Sequence, residues 1–331
     1  ASGCDSTYAY HGGLFVFQET NMDYVESVKP FCTYQQQIDK LEARGLIVRD
    51  KAYAESVLRS ENYYRLRGYW LTMVKKQGTP PDDVFYPGTT FENIVDVYLF
   101  DVDLREIILS ATSIIETNLK AYISYYHAQK YGPIGYMNYE HFEDVNKHIW
   151  MMYELQKDKT ARKDELFVQH HKKCKGGIFP VWAATELMSF GQVSKFFKNM
   201  VREDRNKMSR EFYSISSREY IESWIQCAVV ARNIAAHGGR FYNRFLSPKI
   251  RLPDALAGNE STFWGYAYAI YMLLPEEKKE AFISDLSRAI SAHKYVLLKH
   301  ISFPDNWAQI MRSNAQNASK SEQGKQEYSL V

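Results

Sequence analysis

The sequence predicts an all-α protein: a helical bundle with a small N-terminal appendage resembling a helix-turn-helix. Three observations predict it. Apolar residues recur at helical spacing through most of the chain, capping-box patterns precede two of the longest such runs, and strand signals are scarce. The 331 residues are 45% hydrophobic and 24% charged, enough apolar content for a sizeable core, which excludes disorder as the main state.

Residues 1–26 lack periodicity and are expected to form an arm. A small helical unit follows over 27–84. Its first helix runs from Thr33 through Ile38 and Leu41 to Gly45, and Asp50 caps a second that carries Tyr53, Val57 and Leu58. Tyr63–Trp70 mixes rings with cations, which suits either an RNA-stacking surface or an amphipathic packing segment. Gln77–Gly88, with Pro80, Pro81 and Pro87, reads as a linker or surface loop, placing the start of the main domain (85–312) near residue 85. Thr89-Thr90-Phe91-Glu92 fits a capping box headed by Thr89. From there Phe91, Ile94, Val95, Tyr98, Leu104, Ile108, Ala111, Ile115 and Tyr122 keep helical spacing to Gly132-Pro133, as one very long helix or two in tandem. Further helices are predicted around 141–157, 181–200, 217–237, 262–275 and 277–300. The polar stretch 313–331 is expected to be a disordered tail.

Trp264–Leu274 is too short for a membrane span of roughly 20 apolar residues and reads as a buried helix. No basic run followed by an apolar one opens the chain, so no secretory leader is expected and the cytoplasm is the expected location. Four widely separated cysteines form no C-x-x-C pair, which predicts reduced thiols and neither a disulfide framework nor a zinc knuckle.

With 41 Lys and Arg against 39 Asp and Glu, the overall charge argues for no polyanionic partner, so any such site must be local. Residues 161–251 hold 17 Lys and Arg against 8 Asp and Glu. This stretch is either a polyanion-facing surface or an ordinary solvated face. Within it, Ser216-Ser217-Arg218-Glu219 fits a second capping box, opening a helix with Ile221, Trp224, Ile225, Ala228 and Val229 on its core face. In projection Arg232 falls within about 20° of Ile221, so its guanidinium points into the apolar seam. There it could snorkel, pair with a buried carboxylate such as Glu116, or hold a phosphate bidentately. His237 stands five residues on, near the helix end marked by Gly238-Gly239. On an ideal helix the two side chains lie about 140° apart, so acting together requires the last turn to unwind or facing helices of two subunits.

These residue types suit metal-free RNA cleavage, with the ribose 2′-hydroxyl as nucleophile. Histidine moves protons at neutral pH, arginine offsets charge on the transition state, and Asn233 could orient a phosphate oxygen. No carboxylate cluster suggests a two-metal site, and no metal or other cofactor is expected.

Arg232-Asn233-Ile234-Ala235-Ala236-His237, with Trp224 and Arg240-Phe241-Tyr242-Asn243-Arg244, resembles the signature of Abi-like proteins of the AbiD/AbiF type. Other matching segments are Lys29-Pro30-Phe31 with Gln35–Ile38, Asn62–Leu66 with Gly68–Trp70, Phe85 with Pro87–Phe91, Phe100-Asp101 with Leu104-Arg105, Tyr131-Gly132-Pro133, and Trp182 with Ser189-Phe190-Gly191. The resemblance covers roughly 27–250. It departs where the family pattern carries Cys-Ala-His and a polar residue and this chain has Ala235-Ala236-His237-Gly238.

The resemblance implies a HEPN-like core, whose R-x(4 to 6)-H motif marks metal-independent ribonucleases, in a protein of abortive infection against phage. It implies a homodimer pairing two Arg232/His237 sets, and RNA as substrate or as a small structured noncoding RNA bound stably. Arg232, Asn233 and His237 are then the catalytic candidates. Tyr64, Arg65, Arg67, Lys172, Lys173, Lys195, Lys198, Arg202, Arg205, Arg240, Asn243 and Arg244 are the RNA-binding ones. The competing expectations are an RNA-binding protein that does not cut, and a helical dimer acting through protein partners.

Overall fold

The computed structural model describes residues 30–77, 82–215 and 217–313. The expected arm (1–26) and all of the expected tail after Ser313 lie outside the described residues. Within them the architecture is all-α apart from one short hairpin.

Three helices open the described chain: α1 (Tyr34–Glu42), α2 (Lys51–Ser60) and α3 (Tyr63–Trp70). Thr33 and Gln36 cap α1 reciprocally, and the side chain of Asp50 accepts from the amide of Tyr53 to cap α2, as the sequence predicts. Ile38, Leu41, Ala54, Leu58, Leu66, Tyr69 and Trp70 are buried, and α1 packs against α2.

The expected linker is instead a β-hairpin, β1 (Val74–Gln77) pairing antiparallel with β2 (Asp82–Phe85). Its turn lies outside the described residues. Charged residues at half of its strand positions hide the alternation that marks a strand. The register explains the charges, since Lys76 lies opposite Asp83 and their side chains form an ion pair across the strands. Phe85 is buried edge-on against Trp70, and its amide donates to the carbonyl of Arg44 at 2.9 Å. The hairpin therefore contacts the N-terminal helical unit through Phe85.

One continuous helix, α4 (Phe91–Tyr131), forms the axis of the molecule, 41 residues and about 60 Å long. Its cap is Thr90 with Asn93, one residue beyond the expected Thr89 with Glu92. Thr89 is unavailable because its hydroxyl donates to the carbonyl of Tyr86 at 2.7 Å and its own carbonyl accepts from Ile47. Gly132, at φ +77°, ends the helix where Gly132-Pro133 predicted.

The helices that follow are α5 (Val145–Ala161), α6 (Leu166–Cys174), α7 (Val181–Leu187), α8 (Phe190–Asn199), α9 (Arg202–Tyr213), α10 (Arg218–Ala236), α11 (Phe263–Leu273) and α12 (Glu276–Ala292). The run expected over 181–200 breaks in two because Ser189 and Gln192 form a capping box that starts α8 afresh. The last predicted helix stops at Ala292, short of 300. Helices α3, α7, α10 and α12 pack around α4, and α10 is also covered by α8, α9 and α11. Every residue of α11 is buried, so it is the core helix that Trp264–Leu274 predicted. No helix among the described residues is long and apolar enough to cross a membrane.

Candidate functional site

Helix α10 carries the Arg232–His237 segment. Ile221, Trp224, Ile225 and Ala228 face the core and are buried, while Val229 is only partly covered. The expected capping box at its start does not form. Ser217 is the cap residue, but its hydroxyl donates to the carboxylate of Glu219 at 3.0 Å rather than receiving a helix amide, and Ser216 lies outside the described residues.

Arg232 is half-buried, and its Nε is cut off from solvent with no hydrogen-bond partner. The carboxylate suggested for it, Glu116, is 3.2 Å from Lys120 instead. A buried, unpaired donor costs about 1–3 kcal/mol, so this one nitrogen of the guanidinium is left needing an acceptor. Asn233 and His237 are exposed.

The helix end is closed by a Schellman motif. Gly238, at φ +64°, donates to the carbonyl of Ala235 at 3.1 Å, and Gly239 donates to that of Ile234 at 2.7 Å. Position 239 requires glycine for space, since a Cβ there would stand 2.8 Å from Ile234 Cγ2. The amide of His237 still bonds to the carbonyl of Asn233 at 3.1 Å, so the last turn does not unwind. Arg232 and His237 of one chain therefore stay on different sides of α10, about 140° apart.

The loop that follows is clamped from two directions. Arg65 of α3 donates through Nη1 to the carbonyl of Gly238 at 2.7 Å. Arg240 reciprocates by donating to the carbonyl of Gly68 and lies over the Tyr69 ring, 6.0 Å from its centroid. Burial lowers the pKa of Arg240 below its ordinary value. Asp101, wholly buried on α4, accepts from the amides of Phe241 (3.0 Å) and Tyr242 (2.8 Å), from Tyr69 Oη (2.9 Å) and from Arg105 Nη1 (2.8 Å). Burial raises the pKa of this carboxyl, and its four donors act against that rise. Sequence reasoning assigned Asp101 no role. The available signal was the Asp101/Arg105 pair, one helical turn apart.

The residues expected to bind RNA divide. Arg205 is buried with carboxylates at both ends, Glu222 at 2.6 Å and Glu143 at 2.5 Å. Arg67 faces Asp83 at 3.4 Å. Together with Arg65 and Arg240, these arginines hold parts of the protein to one another and are not free for phosphate. Lys195 sits over the Trp150 ring at 3.8 Å, and Lys172 donates to the carbonyl of Lys159 at 3.1 Å. Tyr64 (77% exposed), Lys173, Lys198, Arg202 and Arg244 face solvent. Asn243 is half-buried at φ +49°. These residues sit on separate elements, with Asn243 and Arg244 in the clamped loop itself. Among the described residues, no three His, Cys, Asp or Glu side chains gather as a metal site.

A family model described as Abi-like protein matches residues 56–243, more than half of the chain. No curated protein matches the chain, and no solved structure does. The matched span contains the clamping residues Arg65, Asp101 and Arg240 as well as Arg232 and His237, and the chain belongs to the Abi-like family, which suggests a part in abortive infection against phage.

Proposed function

We propose that this protein is a metal-independent endoribonuclease of phage defence, with a HEPN-like site completed between two copies of the chain. The observation that carries the reading is the state of Arg232: a guanidinium with a buried, unpartnered Nε on the helix whose end presents an exposed histidine. Because the two side chains diverge on one helix, pairing α10 with its copy is the arrangement that brings an arginine and a histidine to one phosphate. The ribose 2′-hydroxyl gives its proton to one His237 imidazole and attacks phosphorus. The protonated His237 of the second copy supplies a proton to the departing 5′-oxygen, leaving a 2′,3′-cyclic phosphate and a 5′-hydroxyl. Arg232 offsets the charge on the phosphorane-like transition state, and Asn233 orients a phosphate oxygen. Closure of the helix end by Gly238, Arg65 and Asp101 fixes the backbone that carries His237.

The test compares the unaltered protein with His237→Ala for cleavage of labelled RNA in EDTA and for protection of cells against phage. Cleavage that survives chelation and disappears in the variant, together with protection, is the expected result. Bound RNA without cutting by either protein refutes the nuclease and leaves a ribonucleoprotein role. Neither binding nor cutting removes RNA from the account.

A further inference from the structure

A cleft borders the clamped loop at Asn243–Phe245. One wall is Asn243, Arg244 and Phe245, and the other is the turn Lys299, His300 and Ser302. Phe263 and Ile301, both buried, lie beneath. The amide of Asn243 donates to the carbonyl of His300 at 2.9 Å, which ties the two walls together.

Three features set this cleft apart. First, Phe245 is 82% exposed, leaving a free aromatic face at the rim. Second, Arg244 and Lys299 are exposed, no acidic residue lines the cleft, and neither cation has a carboxylate partner among the described residues. Third, Asn243 (φ +49°) and Ser302 (φ +61°) are non-glycine residues held in the left-handed region, one on each wall. Asparagine tolerates that region, but a serine held there costs about 1–3 kcal/mol and persists where the surroundings impose it, commonly at ligand clamps.

We propose that this cleft is a subsite for one nucleotide of single-stranded RNA, with the base stacked on Phe245 and the phosphate held between Arg244 and Lys299. The proposal rests on the RNA reading above and adds to it where the strand lies. Asn243 follows Gly238 by five residues, so the cleft lies within about 17 Å of the histidine end of α10, a few nucleotides along a bound strand. Stacking requires an unpaired base, which selects single strands over duplex. The His300 ring faces Tyr242 edge-on, and burial together with the neighbouring Lys299 lowers its pKa; the uncharged ring that this favours can donate to or accept from a base edge or 2′-hydroxyl.

The test is anisotropy titration of a labelled single-stranded oligouridylate, and of the matching duplex, against the full chain carrying His237→Ala so that no RNA is consumed. Lys299→Glu and Phe245→Ala are introduced into that background. Both positions are exposed, and circular dichroism checks that each variant folds. Each substitution is expected to weaken single-strand binding about tenfold or more, and Lys299→Glu also to lessen the dependence of affinity on salt. Strong binding by the parent and by both variants alike overturns the cleft while leaving the RNA reading intact. A loss at Lys299 with none at Phe245 overturns it as a nucleotide site. A parent without affinity for RNA overturns both readings.

Discussion

Replacing Gly238 by alanine tests how the histidine end of α10 is held. The residue sits at φ +64°, where a side chain costs roughly 1–2 kcal/mol. A Cβ would also stand 3.0 Å from Arg65 Nη1, pressing on the hydrogen bond that Arg65 makes to the Gly238 carbonyl. That guanidinium is 40% exposed, so solvent screens the bond, and losing it adds only about 0.5–1 kcal/mol. The expected total is about 1.5–3 kcal/mol, read as a lower urea midpoint with an unchanged slope. Gly238→Asn should recover about half of it, because asparagine tolerates the left-handed region. In an Arg65→Ala background, Gly238→Ala should cost less by the share belonging to the clamp. A change below about 0.5 kcal/mol would refute the Schellman closure, and equal costs in the two backgrounds would refute the clamp.

Asp101→Asn leaves the buried Arg105 without its carboxylate and turns an amide nitrogen toward donors. It should destabilise the fold by about 3–5 kcal/mol and speed hydrogen exchange at the Phe241 and Tyr242 amides; protection unchanged at those two amides would show that Asp101 does not hold the loop. His127 is buried among Tyr131, His141, Phe142 and Phe196, with both ring nitrogens unpartnered. Burial lowers its pKa to about 4 against an unfolded value near 6.5. Below pH 6.5 the unfolded chain takes up a proton that the native state refuses. Stability should therefore fall as pH drops from about 6.5 to 4, by on the order of 3 kcal/mol. Measured melting against pH should flatten by that amount in His127→Leu, and parallel curves for the two proteins would count against it.

The features legible in the sequence were those set by local periodicity and backbone chemistry. Helix α4 followed from apolar spacing between a threonine cap and Gly132-Pro133, and the burial of α11 from an apolar run too short for a membrane. The stop after His237 followed from paired glycines. The threonine cap was misplaced by one residue because its register depends on the backbone of Ile47, more than forty residues earlier. The hairpin was missed because its Lys76/Asp83 pairing needs both strands in view.

The composition of the site divides in the same way. The sequence determined that Arg232 and His237 sit on one helix, five residues and about 140° apart, since helix geometry depends only on neighbouring residues. It also determined an excess of cations in this part of the chain. Only the tertiary structure decided which cations, there and elsewhere in the chain, are free: Arg205 meets Glu143 and Glu222, Arg240 reaches back to Gly68, and Arg65 reaches forward to Gly238, while Arg244 and Lys299 remain open to solvent. The pattern of charges along a chain records where cations are. Whether each is paired, buried or available depends on groups brought beside it from distant segments, because desolvation and ion pairing act through space.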